Sequence, residues 1–164
     1  MRKVSAHYYL RPDGTLGKRP VIEFDDAGVI VRIRELGDSF REEPGLEYYP
    51  GIMIPAFVAT IDGADASISK KQARKNGVLR IKEGDSTLNE TDYLQAWTAV
   101  KSNSKADSLL TRLTKHTRDA ARLISAEKWG ILKEGTQPGI LVLQNVDLRD
   151  LTLTEKTSFK IIQK

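Results

Sequence analysis

Residues 48–63 read YYPGIMIPAFVATIDG, and the fold turns on how this stretch is read. Leu46-Glu47-Tyr48-Tyr49 and Ile52-Met53-Ile54 predict two short strands broken at Pro50-Gly51. The apolar run continues through Pro55-Ala56-Phe57-Val58 and ends in Ala59-Thr60-Ile61-Asp62-Gly63. It has the form of a lead-in to an active centre, yet the residues beyond it include neither a cluster of metal-binding side chains nor an activated nucleophile.

Upstream, the pattern is short strands and tight turns. Residues 4–10, VSAHYYL, alternate as a strand does. Val21-Ile22-Glu23-Phe24 and Val29-Ile30-Val31-Arg32-Ile33 predict a hairpin closed at Asp25-Asp26-Ala27-Gly28, with Gly28 at positive φ and Val29, Val31 and Ile33 on one face. Downstream the period changes. Ser69 to Gly77 predicts a short helix with Ser69 as N-cap and Gly77 just past its end. Val78-Leu79-Arg80-Ile81 predicts a strand. Asn89 to Asp92 can cap a helix with Tyr93, Leu94, Trp97 and Val100 on its apolar side. After Lys101-Ser102-Asn103-Ser104, a longer helix is expected to reach Ile124, with Leu109, Leu113, Thr117, Ala120 and Ile124 as its apolar stripe. The two helices make an αα-hairpin. Gly139 to Val146 and Thr157 to Ile162 return the chain to strands. With β structure at both ends, the economical arrangement is one sheet structure assembled from both.

Composition narrows the function. The 164 residues include no cysteine, which removes disulfides, zinc–thiolate sites and thiol catalysis. The Met1 to His7 start is basic but lacks the apolar run of a secretory signal, and no segment reaches the roughly 20 apolar residues of a membrane span. A cytoplasmic location is expected. The net charge is +4 and the sequence pI about 9.3. Residues 61–124 carry 12 Lys and Arg against 8 Asp and Glu, whereas the flanks carry 14 of each. The basic excess is thus confined to the middle, as at a module boundary.

Two sets of residues resemble the amidohydrolase superfamily of metal-dependent hydrolases, which includes deaminases, dihydroorotases and the urease catalytic subunit. One is the hairpin Phe24 to Ile30 followed by Tyr49-Pro50-Gly51-Ile52-Met53-Ile54-Pro55-Ala56-Phe57-Val58, where Ala56 stands in place of the usual glycine. The other is Thr117 to Ile124, like the family's last barrel helix, followed by Trp129 to Leu143, where Pro138-Gly139 replaces the usual Ala-Asp. The resemblance implies an α+β, mainly β fold. Residues 1–58 and 125–164 would form the family's composite β-sandwich, and residues 59–124 a helical insert replacing the catalytic (β/α) barrel.

The resemblance also implies what is missing. The family's two histidine ligands would fall at Ile61 and Gly63, flanking Asp62, and neither side chain has a donor atom. The chain has two histidines, His7 and His116, both within the stretches the resemblance covers, roughly residues 4–58 and 113–164, and a barrel needs about 250 residues. No catalytic, cofactor-binding or metal-binding residue is assigned. The expected role is a non-catalytic remnant serving as a structural or protein-interaction module. Alternatives are an accessory part whose barrel comes from another chain, and a weak nucleic-acid binder using the basic middle. The apolar side of the sandwich would need a cover, either Leu94, Trp97, Leu109 and Leu113 of the hairpin or a second chain such as a homodimer partner.

Individual residues have plain readings. His7 is expected to pack or hydrogen-bond in its strand, and His116 to sit partly exposed beside Lys115 and Arg118. Asp62 and Asp65 lie in a stretch faintly like a calcium loop, without its third and twelfth ligands. Lys70, Lys71, Arg74 and Lys75 read as a solvated helix face that could touch phosphates. Trp97 and Trp129 read as core or boundary anchors. No phosphate-binding loop, nucleophile elbow or dinucleotide fingerprint occurs.

Overall fold

Strands from the two ends of the chain lie side by side in one sheet. In the computed structural model, which describes residues 1–39, 41–61, 66–83, 95–102 and 107–163, the chain begins with β1 (Arg2–Ser5), β2 (Tyr8–Leu10), β3 (Leu16–Lys18), β4 (Pro20–Phe24), β5 (Ile30–Glu35), β6 (Leu46–Tyr48) and β7 (Ile52–Pro55). It ends with β10 (Ile140–Asp147) and β11 (Thr152–Gln163). One sheet has the order β5-β4-β1-β6, and the second β11-β10-β7-β2-β3. The antiparallel β7–β10 pair, with Ile54 opposite Leu141, is the join between the two ends.

The strand expected over residues 4–10 is two strands. Ala6 and His7 turn the chain from the first sheet into the second, and Tyr49-Pro50-Gly51 does the same between β6 and β7. Such corners let two sheets share strands around one core. That core holds Val4, Ile22, Phe24, Met53, Val142 and Ile162, all buried between the sheets.

At the hairpin, Gly28 has φ +81° and the Asp25 carboxylate accepts from the backbone N–H groups of Ala27 and Val29. The phase of β5 departs from simple alternation. Glu23 pairs with Arg32 and Phe24 with Ile30, so Val31 is the extra residue of a bulge. Ile30 is therefore buried and Ile33 packs on the same core, while Val31 is 46% exposed.

The middle of the chain is not wholly helical. β8 (Phe57–Ile61) leads through α1 (Ala66–Lys75) to β9 (Val78–Glu83), and β8 and β9 are parallel neighbours. This β-α-β unit buries its first strand on both sides, as parallel strands generally are. Phe57 and Ala59 face one cluster and Val58 another. α1 starts at Ala66, before the expected cap Ser69, and Gly77 follows its end with φ +77°.

α2 (Ala96–Lys101) and α3 lie on the second sheet. α3 begins as Leu109–Thr114, widens into a π turn at Lys115–Asp119 and closes as Ala120–Leu123. The expected stripe Leu109, Leu113, Thr117, Ala120 and Ile124 is buried throughout. Val100, Leu109 and Leu113 share a cluster with Ile52, Ile54, Leu141 and Leu143 of the second sheet. Trp97 meets Phe159 edge-on at 5.1 Å. The described residues thus stack as sheet, sheet, then helices with the β-α-β unit, without a closed barrel. None of the helices they form is long and apolar enough to cross a membrane.

Candidate functional site

The β-α-β unit places basic side chains from two elements around one cleft. Lys70, Lys71 and Arg74 project from successive turns of α1 and Arg80 from β9. Val78 and Leu79 form its apolar floor, and Trp129, in a 3-10 turn at Glu127–Trp129, closes one side. The cleft is open and has a volume of about 550 Å³. Its described lining contains four cations and no acid.

Arg80 is the fixed member. Its Nε and Nη2 donate to the Gln137 carbonyl at 2.9 and 2.7 Å, and Nη1 donates to the Leu79 carbonyl at 3.3 Å. A guanidinium has five N–H groups, so donors on both Nη atoms remain beyond these bonds. Burial holds Arg80 below the usual arginine value, and no carboxylate among the described residues pairs with it. A half-buried cation balanced only by carbonyl dipoles favours an anion beside it. On β9, two residues on, Lys82 donates to the Ile124 carbonyl at 2.9 Å and ties the unit to the end of α3.

Trp129 is positioned from behind. It packs on the cluster of Val58, Ala120, Ala121 and Ile124, and its backbone N–H donates to the Ala126 carbonyl at 2.9 Å. Gly130 makes this approach possible, because a Cβ there would lie 2.4 Å from the Thr117 carbonyl oxygen. The expected anchor role of Trp129 therefore describes one side of the residue, and the cleft is on the other.

The remaining candidates are dispersed. His7 accepts a hydrogen bond at Nδ1 from the Gly51 backbone and meets Tyr48 edge-on at 5.6 Å. His116 is buried, not partly exposed: three residues after Leu113 and four before Ala120, it lies on the same inward face of α3. It lies 6.3 Å from Phe57, and its Nδ1 has no hydrogen-bond partner. Burial and the neighbouring Lys115 push its pKa down. Ile61 ends β8; Asp62, Gly63 and Asp65, with the expected cap at Asn89–Asp92 and Tyr93 and Leu94, lie outside the described residues. Among the described residues no three His, Asp or Glu side chains converge as a metal site would require.

Sequence reasoning met Lys70, Lys71 and Arg74 as a helix face and Trp129 as an anchor, but not Arg80 as their partner. The cleft depends on a strand pairing and on a turn about 50 residues further along. The cations of α1 were the available signal.

No protein-family model and no curated protein matches the chain. Among solved structures, the chain is similar to an amidohydrolase from Brucella melitensis (15% identity, TM-score 0.33), covering 83% of this chain and 26% of that one. It is also similar to an N-acetyl-D-glucosamine-6-phosphate deacetylase from Mycobacterium smegmatis (14%, TM-score 0.36), covering 51% and 26%. A Xaa-Pro dipeptidase with bound methionine is a third (15%, TM-score 0.38), covering 53% and 27%. The chain spans about a quarter of the length of these proteins.

Proposed function

We propose that this chain is a non-catalytic, amidohydrolase-like module in which a composite sandwich has a structural role and function resides in binding rather than turnover. The observation that carries this reading is the use made of the strand leading out of the sandwich. β8 spends both faces on packing, Phe57 and Ala59 toward the second sheet and Val58 toward α3. A strand of a catalytic barrel is packed on both faces too but also presents reacting groups at its C-terminal end, where this chain has Ile61, Asp62 and Gly63. Among the described residues β7 is followed by one β-α-β unit, whereas a closed barrel takes eight.

The same packing weighs against a barrel supplied by another chain. The face of the second sheet that would receive it, Ile52, Ile54, Leu141 and Leu143, is fully buried within this chain. Burying such side chains is worth about 1.5–3 kcal/mol each, which a partner would have to displace. Metal analysis of the purified protein tests the reading, together with an assay for hydrolysis of amide and cyclic-amide substrates. Substoichiometric zinc and iron and no turnover are expected. One equivalent of either metal, removable together with a hydrolytic activity, would overturn it.

A further inference from the structure

We propose that the cleft between α1, β9 and Trp129 binds a nucleoside phosphate, with the base against the Trp129 ring and the phosphate between Arg80 and the cations of α1. The proposal goes beyond the structural role above and does not depend on the fate of a barrel.

Three observations converge on this ligand. The first is charge: Lys71, Arg74 and Arg80 line the cleft without an acidic neighbour among the described lining residues. The second is the geometry of Arg80. Its guanidinium is anchored by two backbone carbonyls, while donors on both Nη atoms remain. That is the fork which receives two phosphate oxygens side by side. The third is Trp129, an aromatic ring held from behind by an apolar cluster and bordering the cleft. A sulfate or a carboxylate would use the cations and leave the ring and the apolar floor idle. A nucleotide uses all three, and about 550 Å³ is enough for one. Cationic groups along a groove beside an aromatic platform also suit one unit of a single strand, since every base has a face to stack. A free nucleotide and a single strand present the same base and phosphate, so the experiment separates them.

The chain has two tryptophans, so Trp97→Phe leaves Trp129 as the reporter and keeps an aromatic ring against Phe159. Titrating this variant of the 164-residue chain with ATP, with a short thymidylate strand and with inorganic phosphate, at 50 mM salt, should quench Trp129 fluorescence with the first two. Phosphate alone should bind more weakly and without quenching. Calorimetry on the unsubstituted chain gives the same comparison should Trp97→Phe fold poorly. If ATP binds at least as tightly per site as the strand, the physiological ligand is the free nucleotide; if the strand binds more than tenfold tighter, it is the polymer.

Lys71→Ala and Arg74→Ala, both at exposed positions, should each weaken binding about 3- to 10-fold. Lys133→Ala, an exposed cation away from the cleft, should leave it unchanged. Raising salt from 50 to 200 mM should weaken strand binding roughly sevenfold, as expected for about two phosphate contacts. Absence of quenching with both nucleotide ligands, binding of phosphate as tight as ATP, or equal losses in Lys133→Ala and Arg74→Ala would each overturn the proposal.

Discussion

The backbone N–H of Gly51 donates to Nδ1 of His7 at 3.0 Å and joins the two corners at which the chain passes between sheets. His7 also accepts at its carbonyl from the N–H of Arg19, the third such crossing, at 2.8 Å. Gly51 has φ +135°, and a Cβ there would stand 1.9 Å from the Leu143 carbonyl oxygen. Gly51→Ala combines backbone strain with a clash against main chain, and is expected to cost about 3 kcal/mol or more. His7→Ala only leaves a part-buried N–H unpaired, at about 1–3 kcal/mol. His7→Asn should recover part of that loss, because its amide oxygen reaches near the Nδ1 position. Urea unfolding midpoints order the three variants; a Gly51→Ala protein as stable as the original would refute the close-approach account of this corner.

A second tie connects the chain ends through charge. The Arg2 guanidinium grips Glu47 with two hydrogen bonds of 2.6 and 2.7 Å, donates to the Ile162 carbonyl at 2.6 Å and is joined by Tyr49, whose hydroxyl donates to Glu47. These bonds, Arg2 first, hold the Glu47 carboxyl down to about 2, against an ordinary value of 4.5. A depressed carboxylate stabilises the fold above its unfolded value and loses that contribution as pH falls through the folded one. Glu47→Gln should therefore lower stability at pH 7 and lose its difference from the parent between about pH 4.5 and 2. The side chain of Glu47 is 42% exposed, so the effect should not exceed about 1 kcal/mol. Acid titration of circular dichroism for both proteins checks it, and curves that stay parallel down to pH 2 would contradict it.

The helical cover on the second sheet should unfold with that sheet. Leu113 is fully buried among residues of α2, α3 and the sheet. Leu113→Ala is expected to cost about 2–5 kcal/mol and to keep a single transition, coincident by far-ultraviolet dichroism and by tryptophan fluorescence. Two separated transitions would mean that helices and sandwich are independent units.

These contrasts explain how far the chain can be read without coordinates. β10, a long apolar run bounded by turns, and the α3 stripe, with its helical spacing, are local patterns and emerge as expected. His116 is different: its spacing from Leu113 and Ala120 puts it beside the stripe, but its polar ring and the flanking Lys115 and Arg118 suggest solvent, so the spacing is outweighed by residue type. The β8–β9 pairing escapes for a related reason: a short strand names its residues but not its partner. Val31 points outward because one extra residue entered the ladder, which alternation alone cannot reveal. The cleft inherits this limit, because Arg80 and Trp129 meet only after that pairing and the α3 packing are in place.

His116 supplies the sharpest test of the buried π turn. Its folded pKa is pushed below the ordinary 6.5, first by burial and then by Lys115. The unfolded chain therefore binds a proton near pH 6 that the folded chain refuses. Stability is then fully present above about pH 6.5 and declines as pH falls from there toward the lower folded value. The depressed carboxylates, such as Glu47, contribute their losses only below about 4.5, so from about pH 6.5 to 5 they stay out of a comparison between the parent and a variant lacking His116. His116→Leu keeps an apolar contact for Phe57 and removes the titrating group. Urea midpoints of both proteins at pH 7.5 and 5.5 should show the parent losing stability on acidification and the variant losing clearly less. Equal losses in the two proteins would place His116 in contact with water in the folded state and contradict its burial against Phe57.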